Sequence, residues 1–146
     1  MVNKGERQDN KRFVIYVDGA SRGNPGPAAI GFLILDERGT AMTEVSRAIG
    51  VCTNNHAEYQ ALIAGLEEAA KLDASHLEIR LDSELVARQL SGQYRVKDKQ
   101  LKPLYAKAMC LLSRLNSFTI RHIRREHNRK ADALANRALD KPQCHS

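Results

Sequence analysis

Two hydrophobic periods follow one another along the sequence, and their order restricts the fold more than any other feature. Residues 13–17 form an apolar, β-branched run that stops at Asp18-Gly19, and a Gly- and Pro-rich stretch, 20–27, leads to a second such run at 28–35. Short runs of this kind bounded by turn formers read as strands. Asp36-Glu37-Arg38-Gly39 has turn composition and residues 42–51 are a third strand candidate, so the first third predicts an antiparallel meander. Beyond it the period changes. Asn54-Asn55 can cap a segment in which Ala57, Ala61, Leu62, Ala64, Leu66, Ala69 and Leu72 recur at helical spacing.

Residues 77–81 alternate as a strand does, and Asp82-Ser83 then opens a helical pattern that stops at Gly92. Residues 97–102 read as a basic loop, 104–115 as a helix, 118–123 as a strand and 128–139 as an Ala-rich helix. The order βββαβααβα predicts an α/β domain, a mixed sheet with helices on its faces. At 146 residues the chain fits one compact domain, expected over 13–140, with 1–12 a flexible lead-in and 141–146 a tail.

Composition narrows the function classes. The 42% of hydrophobic residues come in short runs broken by charges, and none is long enough to cross a bilayer, so no membrane partner is expected. The N-terminus lacks the apolar region of a secretory signal. Cys52, Cys110 and Cys144 are odd in number and widely spaced, which predicts neither a disulfide framework nor a zinc site and fits a cytoplasmic protein. The net charge of +6 favours a polyanionic partner, although a merely soluble basic surface explains it as well. Partner identity therefore has to come from motifs.

Four acids stand at the ends of expected elements: Asp18 closes the first strand, Glu58 lies in the first turn of the first long helix, Asp82 closes the fourth strand and Asp132 lies in the first turn of the last helix. In α/β sheets ligands gather at the carboxyl ends of strands, so these acids can converge on one cleft. Carboxylates crowded there repel one another unless cations lie between them, and oxygen ligands of this hardness suit Mg²⁺ or Mn²⁺. Two ions fit phosphoryl transfer, one activating the attacking water and one stabilising the departing oxygen. Taken singly, Glu58, Asp82 and Asp132 are explained equally by the preference for acids near helix N-termini, and spacing alone leaves both readings open.

The sequence strings add a resemblance. Asp18-Gly19-Ala20-Ser21-Arg22-Gly23-Asn24-Pro25-Gly26-Pro27 resembles the opening signature of type 1 ribonucleases H, and Thr53-Asn54-Asn55-His56-Ala57-Glu58 resembles their Thr-Asn-Asn-x-x-Glu block. Leu81-Asp82-Ser83 and the run from Arg125-Glu126-His127-Asn128 through Ala131-Asp132-Ala133 resemble the third and fourth blocks, so the likeness spans about residues 13–139. It implies a ribonuclease H-like five-stranded mixed sheet flanked by helices. It also implies Asp18, Glu58, Asp82 and Asp132 as catalytic metal ligands for two Mg²⁺ ions, with Mn²⁺ as substitute. The implied reaction is endonucleolytic hydrolysis of the RNA strand of an RNA/DNA hybrid, leaving 5′-phosphate and 3′-hydroxyl ends. A monomer without an obligate protein partner is expected; duplex RNA is a further substrate to be tested.

By the same resemblance Asn24 and Thr53 match residues that contact the DNA strand or its phosphate, and Asn54 and Asn55 match positions that read the hybrid's minor groove. Short amide and hydroxyl groups can touch 2′-hydroxyls and sugar edges without reading base sequence. Thr53 and Asn54 are also good helix caps, and Asn24-Pro25-Gly26 is a good turn.

The chain departs from the family pattern in three places. Residues 92–103 are too short for the basic protrusion of well-known bacterial members, leaving Arg95, Lys97, Lys99 and Lys102 for phosphates or solvent. The assisting His that many members carry before the last acid has only His127 as counterpart, which reads as a turn residue, with Arg125 an alternative cation. Glu84 stands where several relatives carry Gln, and a helix N-terminus welcomes it for structural reasons. The rival reading is a catalytically weak hybrid-binding module of the same fold; loss of an acid would favour it, and none is missing.

Overall fold

The computed structural model describes residues 11–140. Its elements are β1 (Arg12–Ser21), β2 (Gly26–Leu35), β3 (Ala41–Cys52), α1 (Asn54–Lys71), β4 (His76–Leu81), α2 (Glu84–Leu90), α3 (Leu101–Ser113), β5 (Ser117–His122), a 3-10 turn (Arg125–His127) and α4 (Arg129–Asp140). The expected lead-in and tail lie outside the described residues, apart from Lys11 and Arg12. Arg12 begins β1, and the Lys11 carbonyl accepts from the Ser75 and His76 N–H groups.

The five strands form one sheet in the order β3-β2-β1-β4-β5, antiparallel on the β1–β2 and β2–β3 sides and parallel where β1 meets β4 and β4 meets β5. This is the mixed sheet that the order of periods predicted. Side chains alternate along β1. Ile15 and Val17 face α1 and join the main core with Phe32, Ile79 and Leu81, each fully buried. Burying a side chain of this size contributes about 1.5–3 kcal/mol. On the other face α4 covers part of the sheet with Leu134 and Ala131 against Leu33. There β4 and β5 carry a polar ladder in place of a helix. Arg80 stacks over and hydrogen-bonds Tyr16, and Glu78 accepts from Arg80 Nε at 2.5 Å and pairs with Arg121 at 3.3 Å.

Several boundaries differ from the sequence reading, among them the following three. β1 does not stop before Asp18 but runs on to Ser21, with Asp18 opposite Gly31 and Ser21 opposite Ala28. The turn-like composition of this stretch yields to the hydrogen-bond partners that β2 offers its backbone. α3 begins at Leu101 rather than at 104, because Pro103 sits in the first turn, where a helix needs no N–H from it. The Asp98 carboxylate accepts from the Gln100 N–H there at 2.7 Å. Finally, the cap of α1 is Thr53, whose Oγ1 accepts from the His56 N–H at 3.2 Å, which leaves Glu58 in the second turn instead of the first. Among the described residues no helix is long and apolar enough to cross a membrane.

Candidate active site

Two glycines let helices touch the sheet at the level of Asp18. Gly19 faces α1, and a Cβ there would stand 2.2 Å from the Ala57 carbonyl carbon. Gly31, on the other face beside Asp18, lies under α4, where a Cβ would stand 2.3 Å from the Ala131 carbonyl oxygen. Neither position tolerates a side chain. The absence of one on each face brings Glu58 of α1 and Asp132 of α4 to the strand that carries Asp18.

Asp82, just beyond β4, completes the group, because β4 lies parallel to β1 with Leu81 level with Val17. Asp18, Glu58 and Asp82 each offer a carboxylate oxygen within 4.8 Å of the others. Asp132 lines the same cleft, with Asn54, Asn55 and Arg125. Its carboxylate reaches Asp18, accepts from Asn136 Nδ2 at 3.1 Å and lies 3.8 Å from the Arg125 guanidinium.

The electrostatics are those of carboxyl groups crowded together out of water. Asp18 and Glu58 are only 5% and 6% exposed. Burial, and next the neighbouring Glu58, push the Asp18 carboxyl from its ordinary 3.8 up to about 11. Burial raises Glu58 from 4.5 to about 7, against the opposing pull of hydrogen bonds from Asp18 and from the Gly19 N–H. Glu58 Oε1 takes that N–H at 3.0 Å, while Oε2 is buried with no hydrogen-bond partner. Three hard oxygen donors at this spacing, one of them unsatisfied, fit a divalent cation such as Mg²⁺ or Mn²⁺.

The expected substrate residues lie around this cleft in two ways. Asn54 and Asn55 line it. Asn24 acts on the scaffold: its Oδ1 accepts from the Asn54 N–H at 3.0 Å, and Asn54 Oδ1 in turn accepts from the Ser21 N–H at 3.0 Å. These bonds staple the β1–β2 hairpin to the start of α1. Thr53 is the cap of that helix. Arg125 faces the cleft and its charge favours the ionised form of Glu58, whereas His127 is exposed in the 3-10 turn and does not line the cleft. Glu84 pairs with Arg88 at 2.9 Å, and Arg88 stacks on Tyr94 and donates to Gln93, so that acid serves the α2–α3 connection. Residues 91–100 alone join α2 to α3, leaving no room for a basic protrusion.

Several residues that build the site carried no separate sequence signal. Gly19 and Asn128 stand inside strings of the family resemblance and read locally as a strand stop and a helix start, while Gly31 and Asn136 draw no reading of their own. Only the packing gives them a part.

Known proteins resemble the chain over most of its length. A family described as reverse transcriptase-like matches residues 16–138. Ribonuclease HI of Halobacterium salinarum is 47% identical over 129 residues, covering 88% of this chain and 65% of its own length. The mycobacterial relatives that also match are covered over 36% of theirs. The crystal structure of RNase H1 from Halobacterium salinarum superposes with a TM-score of 0.86 at 46% identity, over 88% of this chain and 98% of that one. LC11-RNase H1, solved in complex with an RNA/DNA hybrid, superposes with a TM-score of 0.83 at 44% identity, over 88% and 96%. With the acidic cluster in its expected place on that fold, the chain belongs to the type 1 ribonuclease H family.

Proposed function

We propose that this protein hydrolyses the RNA strand of RNA/DNA hybrids endonucleolytically, leaving 5′-phosphate and 3′-hydroxyl ends. The observation that carries the reading is the meeting of Asp18, Glu58 and Asp82 oxygens within 4.8 Å in a cleft that also holds Asp132. A relative of the same fold has been crystallised with a hybrid. Asp18, Glu58, Asp82 and Asp132 would hold two Mg²⁺ ions, with Mn²⁺ as substitute. When bound, such ions lower the pKa of the attacking water and neutralise charge on the departing oxygen. In the overall reaction the water oxygen joins phosphorus, the bond to the 3′-oxygen breaks, and a proton ends on that oxygen.

The rest falls to the protein's own groups. Asn54 and Asn55 are set at the cleft wall, where their amides can meet 2′-hydroxyls and sugar edges in the minor groove. Asn24 and Thr53 support them from behind, through the Asn54 N–H and the helix cap, and by the family resemblance would also contact the DNA strand or its phosphate. Arg125 supplies positive charge beside Glu58 and Asp132, which a phosphate in the cleft would share; His127 is the more distant auxiliary. The protein acts as a monomer in the cytoplasm, within a domain bounded near residues 13 and 140.

End-labelled RNA/DNA hybrid, duplex RNA and single-stranded RNA, each incubated with wild-type protein and Mg²⁺ or Mn²⁺, test the reading. Cutting of RNA in the hybrid, and not of single-stranded RNA, is expected. Binding of the hybrid without cutting under either metal would replace it with the hybrid-binding module.

A further inference from the structure

Asn128 stands immediately before α4 and is 1% exposed. An Asn at the start of a helix ordinarily turns its side-chain oxygen to the helix's first N–H groups. This one faces the other way. Its Nδ2 donates to the Val17 carbonyl oxygen at 2.9 Å and to Asp82 Oδ2 at 2.8 Å, so both amide hydrogens are used. Its Oδ1 is buried with no partner. Its main-chain carbonyl accepts from the Asp132 N–H at 3.0 Å.

These partners belong to the carriers of three site acids. Val17 precedes Asp18 and is level with Leu81, which precedes Asp82. One buried residue is therefore bonded beside Asp18, to the carboxylate of Asp82 and to the backbone of Asp132. An unpaired buried acceptor and an unused cap both cost stability, so the fold alone does not account for the arrangement. What the amide achieves is to hold Asp82. Crowded against Asp18 and Glu58, that carboxylate would relieve repulsion by rotating away, and the Nδ2 bond opposes the rotation while leaving the other oxygen open.

We infer that Asn128 is a positioning residue for the metal site, fixing Asp82 against β1 so that the carboxylates stay converged before any cation arrives. This rests on the metal-dependent reading proposed above. Partners of metal ligands typically cost about 10–100-fold in metal affinity or activity when removed.

The test is calorimetric titration of Mn²⁺ alone into wild type, Asn128→Ala and Leu115→Ala, with hybrid cleavage measured on the same preparations. Leu115 packs on the core beyond the opposite end of the sheet and controls for simple destabilisation. Asn128→Ala should bind Mn²⁺ about 10–100-fold more weakly and lose kcat over a similar range, with KM for the hybrid within about twofold of wild type. Leu115→Ala should lower the melting temperature and leave Mn²⁺ affinity unchanged. If Asn128→Ala only melts earlier, with Mn²⁺ affinity and kcat of wild type, the inference is overturned. Should that variant not fold, Asn128→Leu, which keeps the side-chain volume and removes both amide donors, makes the same comparison, and wild-type Mn²⁺ affinity there overturns it equally. Wild type that binds no Mn²⁺ would sink the functional reading itself, and this inference with it.

Discussion

Gly19 donates its backbone N–H to Glu58 Oε1 at 3.0 Å, joining residues 39 positions apart. The bond exists because position 19 has no side chain: α1 lies so close that a Cβ would fall 2.2 Å from the Ala57 carbonyl carbon. Gly19→Ala should push α1 outward and destabilise the protein by about 1–3 kcal/mol, as overpacking does. It should also cut hybrid cleavage by more than the smaller folded fraction explains, because Glu58 moves with the helix. Urea unfolding and specific activity on one preparation check both. Unchanged activity in a destabilised Gly19→Ala would show that Glu58 does not need this bond.

The raised carboxyls make stability depend on pH in a direction opposite to that of an ordinary ion pair. Between about pH 4 and 7 folded Glu58 holds a proton that the unfolded chain has released, and Asp18 does so further, toward about 11. The unfolded state then binds fewer protons, so stability is fully present below the ordinary carboxyl values and is lost as pH rises. Metal-free wild type should melt at lower temperature at pH 8 than Asp18→Asn, and the gap should close toward pH 4. Mg²⁺ should raise the wild-type melting temperature more at pH 8 than at pH 5, since it binds the deprotonated ligands. A gap that is constant with pH contradicts the assignment.

Arg125 is 3.8 Å from Asp132 and favours the ionised form of Glu58. Arg125→Ala should lower kcat by about 100-fold, as loss of one preorganised donor does, with partial recovery in Arg125→Lys. Turnover at the wild-type level in the alanine variant would remove Arg125 from the chemistry. Steady-state cleavage at saturating Mg²⁺ separates the cases.

If the chain binds a hybrid as proposed, basic groups outside the short α2–α3 connection can also meet its phosphates. Arg124, Arg129 and Lys130 are exposed on the turn and helix that follow β5, next to the cleft-lining Arg125. Removing one cation that touches a phosphate should flatten the dependence of log affinity on log salt by about 0.7–0.9. The Arg124→Ala, Arg129→Ala double variant should therefore bind hybrid more weakly with a shallower salt slope and an unaltered kcat. Fluorescence anisotropy across a salt series reads the slope, and one equal to that of wild type would assign phosphate binding to other residues.

The order of strands and helices was legible because apolar strand runs and helical repeats are separated along this chain, and the acids because the strings around them resemble the blocks of a known family, where element ends alone left helix capping as an equal reading. What the sequence concealed was closeness. The strand character of residues 18–21 depends on β2 offering partners, and Pro103 looks like a helix breaker until it is placed in a first turn. Gly19, Gly31 and Asn128 matter only through atoms distant in sequence, a Cβ that has no room or an amide turned back toward a strand. No local pattern encodes such closeness. Thr53 and Asn24 were expected at substrate, and the structure places their side-chain oxygens on the backbone N–H groups of His56 and Asn54.

If the cluster around Asp18 cuts the RNA of a hybrid with the help of a divalent ion, cleavage must need both the acid and the ion. Single-turnover cleavage of an end-labelled RNA/DNA hybrid by wild type and Asp18→Asn, in Mg²⁺ and in chelator, measures this without intermediate steps. Wild type should make internal cuts in the RNA strand in Mg²⁺ alone, with 3′-hydroxyl ends, and the variant should make none. Cutting that persists in chelator, or equal cutting by Asp18→Asn, would contradict the proposed function.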